Sequence, residues 1–438
     1  MGPGVTLVGG ARLPLAFIGA GLLAFAAAVA MLALEPGLLL EAPLNPRVVA
    51  WIHLWLPGFL LSVCIGSVYQ LMPVVLGVSL RLPLAAAWTH AGLHLAGTLA
   101  LVLGLGTGRY GWAAAGGSAL TLGVFLLVTG LFRTFAASTR RDAPAWSFPL
   151  AGGWLLLTVV LGVLMALNRR HAFLPLPAEN LLRAHAHLGL VGFFLTLLQG
   201  TTFQLIPMFT MGKLARADLV WGGLVCTQVG LLLLAPGLAW DLPALAVAGG
   251  GVLGTGLLFS GTALGATLAT RRRRVLDPGI RAFLAGAVCA GTAGLAGLFL
   301  FAFAPGDRAH QTLLALYAVL AVAGGLSLTV LGMLCKIIPF LVWMRAYGPR
   351  VGREPVPAAT SLGSAALEKL WFACHLSGLG TAFLALLAGR GHYTLAPAIL
   401  LGAGALVYLA NVIRILRHLK PRTASRTAPA LKPSAATP

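Results

Sequence analysis

Apolar runs of about twenty residues follow one another along nearly the whole chain, separated by short segments that carry most of the charge. They are too long and too continuous for the alternating pattern of a barrel strand. A backbone in hydrocarbon must also satisfy its own polar groups, so each run is predicted to be a membrane-spanning helix. Twelve spans are expected, at about 12–34, 49–77, 84–105, 111–133, 148–168, 182–211, 217–236, 243–269, 282–304, 311–343, 365–389 and 393–416. The fold class is all-α: a polytopic membrane protein whose single twelve-helix domain fills residues 1–416. No cleavage site follows the first span, which reads as an anchor. Residues 419–438 turn to Pro, Ser, Thr and basic side chains. They bury too little apolar area to order themselves, and a disordered basic cytoplasmic tail is expected there.

Three of the runs close on one signature: GSVYQLMP from Gly66 to Pro73, GTTFQLIP from Gly200 to Pro207, and GMLCKIIP from Gly332 to Pro339. The offsets of 134 and 132 residues predict three pseudo-repeats of four spans, at about 12–133, 148–269 and 282–416. Twenty residues before each proline stand His53, His187 and Val319. A second correspondence aligns His94, Gln228 and His375 on the third helix of each unit. Each series holds two imidazoles and one side chain of another kind. The recurrent Gly and Pro have a structural reading, close helix approach and a kink near the end of a span. Gln70, Gln204 and Lys336, just before the prolines, are expected to cap or snorkel at the cytoplasmic end.

Composition and charge place the spans in a bilayer and orient them. Charged residues are only 9% of the chain and mean hydropathy is +0.93, which leaves no material for a soluble domain. With the N-terminus cytoplasmic, every Lys and Arg except Arg47, Arg109, Arg169, Arg170, Arg183, Arg308 and Arg390 falls on the cytoplasmic side, and so does the C-terminus. A bacterial-type inner membrane is the expected location. Topology and anionic headgroups account for the net charge of +20, and no nucleic-acid partner is expected. Cys64, Cys226, Cys289, Cys335 and Cys374 all lie inside spans without a CxxC pair, and read as packing residues.

Candidate chemistry rests on histidine. Ionisable side chains inside spans are expensive and normally face the bundle interior. His53 lies in span 2, His90 and His94 in span 3, His185 and His187 in span 6, and His375 in span 11. If the units pack about a pseudo-threefold axis, the second helix of one faces the third helix of the next. That would pair His53 with His375 and His187 with His94, and leave Val319 opposite Gln228. Two neutral imidazoles on facing helices are what axial coordination of a b-type heme requires. His53, His94, His187 and His375 are therefore the candidate cofactor ligands, for one or two hemes. His90 and His185 are further metal candidates, for copper or zinc. His90 shares a helix face with His94 and would join His185 and His187 in a four-imidazole cluster, although residues two apart on a helix point about 200° apart. Counted along the helices, the proposed heme partners differ in depth by about 10 Å. No carboxylate lies well inside a span except Glu368, near an end, so no carboxylate proton path is expected.

The twelve spans, with a second span reading HLWLPGFLLSVCIGSVYQLMPVVLG, resemble the main subunit of the heme-copper oxidases and of the related nitric oxide reductases, over roughly residues 12 to 416. In that family a span-2 histidine binds low-spin heme and a similar Gly, Tyr or Asn, and Pro signature follows some twenty residues later. The resemblance implies heme ligation by His53. The AHAH sequence ending at His187 also resembles the heme- and copper-containing membrane proteins of the nitric oxide response. The family's oxidases carry a copper-ligating histidine in span 6, a pair near span 7 and two histidines in span 10. Here span 7 has none and span 10 has only His310 at its outer edge, so the binuclear-centre pattern is absent.

The expected function is a heme-binding membrane protein with an electron-transfer or an oxygen- or nitric-oxide-related redox role. As an enzyme it would be an oxidoreductase like a cytochrome oxidase or nitric oxide reductase. Two other classes use the same residues differently: a copper-handling protein or transporter built on the same histidines, and a non-catalytic partner subunit. The expected partners are the lipid bilayer and a redox protein or additional subunit. Arg47 and Arg183, near the outer ends of spans 2 and 6, suit heme propionates as well as interfacial anchoring.

Overall fold

The computed structural model describes residues 10–303, 307–389 and 391–420, so the tail expected to be disordered lies outside the described residues beyond Lys420. Twelve helices are long and apolar enough to cross a membrane: Arg12–Leu34, Pro46–Leu76, Leu84–Gly106, Tyr110–Ala137, Ala143–His171, Ala178–Thr210, Ala217–Ala239, Pro243–Ala269, Pro278–Ala302, Arg308–Ala346, Ala365–Ala388 and Leu395–Leu419, here spans 1 to 12. Each coincides with a predicted span, and the protein is a twelve-span all-α membrane protein with no strand among the described residues. The ends shift by a few residues because caps decide them. Span 5 starts at Ala143, where Asp142 accepts from the Ala145 N–H and Pro144 occupies the first turn.

Consecutive spans pack on one another and span 1 packs on span 12, which closes the ring. Spans 2, 6 and 10 meet inside it. The Trp55 indole on span 2 donates to Ser327 Oγ on span 10 at 2.9 Å, His53 on span 2 faces His185 on span 6, and Tyr317 on span 10 reaches His187 on span 6. Around this junction Phe25, Trp55 and Phe59 pack ring against ring and are almost wholly buried. Exposed tryptophans mark the two ends of the bundle: Trp88, Trp146 and Trp221 where spans 3, 5 and 7 begin, Trp112 and Trp240 at the opposite side.

The three central helices share a local distortion. Directly after His53, His187 and Val319 each widens into a π-helical segment: Leu54–Leu61, Leu188–Leu195 and Leu320–Leu326. A π turn takes an extra residue and loosens the carbonyl pairing of the helix. The residue that ends each segment is a hydroxyl. Ser62, Thr196 and Ser327 donate back to the carbonyls five residues earlier, at Pro57, Val191 and Val322 (3.3, 3.2 and 2.8 Å). In hydrocarbon no solvent can repair such a carbonyl, so the hydroxyl at that place does it.

The outer hairpins close on glycine. In the pair of spans 3 and 4, a Cβ on Gly116 would stand 2.4 Å from the Leu101 nitrogen; in spans 7 and 8, one on Gly249 would stand 2.4 Å from the Leu234 nitrogen. The two glycines lie at matching places in their hairpins, and in both the backbones touch where only hydrogen fits. Near the prolines of spans 2, 6 and 10, two expectations change. Lys336 does not snorkel: its Nζ lies 2.6 Å from Asp277 Oδ2, with both side chains nearly buried, because the residue that caps span 9 supplies a counter-charge at that depth. Gln70 is buried at 2% exposure inside the bundle, while Gln204 accepts from the Arg140 guanidinium at 3.3 Å.

Candidate cofactor site at the junction of spans 2, 6 and 10

His53 stands two turns into span 2, whose start is set by Asn45 capping the Arg47 N–H and by Pro46 at the first position. Its Nδ1 lies 2.7 Å from the Val49 carbonyl, one turn back in the same helix. A carbonyl only accepts, so Nδ1 carries the proton and Nε2 presents a bare lone pair. His187 repeats this in span 6, with Nδ1 donating to the Arg183 carbonyl at 2.8 Å. Its Nε2 is therefore an acceptor, and the Tyr317 hydroxyl donates to it at 3.1 Å, the rings 6.1 Å apart and 16° from parallel.

His185 lies on the other side of span 6 and faces His53, ring centres 6.3 Å apart and planes 17° from parallel. Its Nδ1 is buried without a hydrogen-bond partner. Gly162 of span 5 backs the ring: a Cβ there would lie 3.0 Å from His185 Cε1, so the imidazole occupies space that a side chain would take. Two imidazole nitrogens held at about 2 Å on opposite sides of one metal put the ring centres roughly 6 Å apart. His53 and His185 have that spacing, and each offers a nitrogen that no protein group uses.

The pairings expected between units do not form. His94 Nε2 lies 2.8 Å from Ser62 Oγ, and since that hydroxyl donates to Pro57, the imidazole is the donor. Gln228 Nε2 donates to Thr196 Oγ1 at 3.0 Å, and His375 Nε2 donates to the Ala323 carbonyl at 2.9 Å. All three aligned residues of the third helices thus serve the π segment of the second helix beside them. The reason is packing: each third helix lies against the second helix of its own four-span group, which turns its polar residue there. What Gln228 can do by hydrogen bonding alone explains His94 and His375 equally. His90 pairs with Tyr69 instead, Nδ1 to hydroxyl at 2.8 Å. The four-imidazole cluster of His90, His94, His185 and His187 is not assembled, and among the described residues no three His, Cys, Asp or Glu converge on one point.

Two members of the junction escaped the sequence reading. Tyr317 stands 132 residues after His185, in the same relation to Val319 as His185 to His187, so the repeat offset contained it. Gly162 left no such signal, since its role is the space it vacates. Arg47 is bound to Glu35 at 3.1 Å and Arg183 to the Asn180 side chain at 2.7 Å, both near the aqueous end. Two surface hollows, of about 350 and 460 Å³, lie elsewhere, one beside Arg140 and Phe203 and the other beside Phe303 and Arg308.

No protein-family model matches the chain, and no curated protein sequence matches it. Among solved structures it is similar to a chain of a heme-copper terminal oxidase dimer determined by cryo-EM, with a TM-score of 0.69, 12% identity, and coverage of 93% of this chain and 84% of that one. At that identity the likeness is one of backbone. This chain carries a divergent fold of the heme-copper oxidase main-subunit kind.

Proposed function

We propose that this protein binds heme b in the membrane through His53 and His185 and serves a redox role there. The observation that carries the reading is the facing pair itself. One imidazole has its tautomer set by the Val49 carbonyl so that Nε2 is free, the other has a buried and unclaimed Nδ1, and the ring centres are 6.3 Å apart, so that these two residues would hold the heme. When bound, the heme supplies reversible one-electron transfer. The chain's own part is to hold the rings: Val49 orients His53, and Gly162 admits His185. His187, donating to Arg183 and accepting from Tyr317, ties span 6 to span 10.

The oxidase-like backbone supports this reading, as do the buried aromatic side chains Phe25, Trp55 and Phe59 at the junction. We read the chain as three copies of a four-span unit, with both termini in the cytoplasm of a bacterial-type inner membrane, and with a redox protein or further subunit as partner. A two-imidazole site also suits monovalent copper, which makes copper handling the second reading. Purified protein from heme-supplied cells decides between them. Sharp α-bands on reduction, lost in both His53→Ala and His185→Ala but retained in His375→Gln, support heme at the pair. Colourless protein with one copper per chain, lost in the same two variants, overturns heme in favour of copper.

A further inference from the structure

Half of the buried polar side-chain atoms without a hydrogen-bond partner among the described residues lie on spans 2 and 3: Gln70 Oε1, His90 Nε2, His94 Nδ1 and Thr98 Oγ1. Three of them follow one another at four-residue spacing on a single face of span 3, rising about 6 Å per step. His90, His94 and Gln70 are 2% exposed or less, and Thr98 is 8% exposed. Their needs are definite. Because Ser62 spends its proton on the Pro57 carbonyl, His94 must donate through Nε2, and its Nδ1 is left as an acceptor facing no donor. Thr98 carries a hydroxyl with neither role filled, and Gln70 an acceptor oxygen with no donor.

Spans 6 and 7 show what this interface looks like without those needs. At an offset of 134 residues, Tyr69 and His90 are matched by the buried Phe203 and Leu224, while His94 is matched by Gln228, which keeps only the hydrogen bond to the π segment. Buried polar atoms without partners are thus gained on one helix face. A protein donor set for a cation is not: spans 2 and 3 contain no carboxylate, and no third ligand joins His90 and His94 among the described residues.

We propose that the interface of spans 2 and 3 binds a short file of ordered water on Gln70, His90, His94 and Thr98, and that this file opens the buried imidazoles to proton exchange with bulk solvent. The site is separate from the His53–His185 pair and stands whether or not heme binds there. With no carboxylate in these spans, imidazole is the group that would exchange protons.

X-ray hydroxyl-radical footprinting of the full-length protein in nanodiscs, in ¹⁸O-labelled water with mass-spectrometric readout, tests the proposal. Radicals form from water beside the side chain they modify, so Tyr69 and His90 should label at least tenfold faster than Tyr408 and Phe59, which are as deeply buried. Thr98→Leu, which replaces the hydroxyl by a bulkier apolar side chain, and His94→Gln, which keeps the donor to Ser62 as Gln228 does for Thr196, should each reduce that labelling several-fold in folded protein. Labelling of Tyr69 and His90 no faster than Tyr408 overturns the proposal, and so does labelling unchanged by both variants. Copper or zinc bound at one equivalent and lost in His90→Leu overturns it as well, in favour of a cation.

Discussion

His53 and His185 stand ring to ring, 6.3 Å between centres and 17° from parallel, on helices whose sequences are more than a hundred residues apart. The pair joins the second and sixth spans on the side of the bundle where even-numbered spans begin. Neither ring is held by a charged partner. His53 is oriented by a carbonyl of its own helix, and His185 by the gap that Gly162 leaves in span 5.

That gap makes Gly162 a sensitive position. In Gly162→Val the new methyl groups meet the His185 ring, because a Cβ alone is already 3.0 Å from Cε1. The imidazole must shift from the place in which it faces His53. Loss of an orienting contact typically lowers ligand affinity about 10- to 100-fold, and heme retention during purification should fall in that range. Retention equal to wild type, read from heme per chain, would show that His185 is not a ligand.

Tyr317→Phe removes the hydroxyl that donates to His187 and leaves the ring stack in place. One hydrogen bond contributes about 1 kcal/mol, so thermal unfolding should move by only a few degrees. The reduced α-band should keep its position. A loss of heme as large as in His53→Ala would instead make His187, not His185, the partner of His53.

Lys336→Met leaves Asp277 nearly buried with only Arg273, 3.5 Å away, as counter-charge. Removing one partner of a buried ion pair costs about 3 kcal/mol, more than the pair itself contributes. Unfolding in detergent should shift accordingly, and the double variant Lys336→Met with Asp277→Asn should recover part of the loss. Additive effects in this cycle would mean that the two groups do not interact.

Gly116→Ala and Gly249→Ala test the hairpins. Each added methyl would sit 2.4 Å from a backbone nitrogen of the facing helix, which cannot yield as a side chain does. Overpacking of this kind costs about 1–3 kcal/mol. Both variants should lower thermal stability, whereas Gly261→Ala, with nothing within 4 Å, should not.

How much of this was legible beforehand differs by residue. The spans were, and the signature also singled out positions 53, 187 and 319 for ligand chemistry, whereas the π turns that follow them left no mark in the sequence. His94, Gln228 and His375, aligned from the sequence, each hydrogen-bond to the second helix beside them. Their hydrogen bonding was not legible, because an imidazole that donates a hydrogen bond and one that binds metal are the same letter. Only the Ser62 hydroxyl and the Ala323 carbonyl distinguish them.

Sequence alone determined the twelve helices and the set of histidines that lie within them. Those follow from run length and from the need of each backbone to satisfy itself, which are properties of a segment in hydrocarbon. Tertiary structure decided which histidines meet. The third helix of each group packs on its own second helix and spends its polar residue on the loosened π carbonyls. Meanwhile the second helices of neighbouring groups converge, so that His53 finds His185 and His187 finds Tyr317. Contacts between segments depend on which faces pack, and no single segment carries that information.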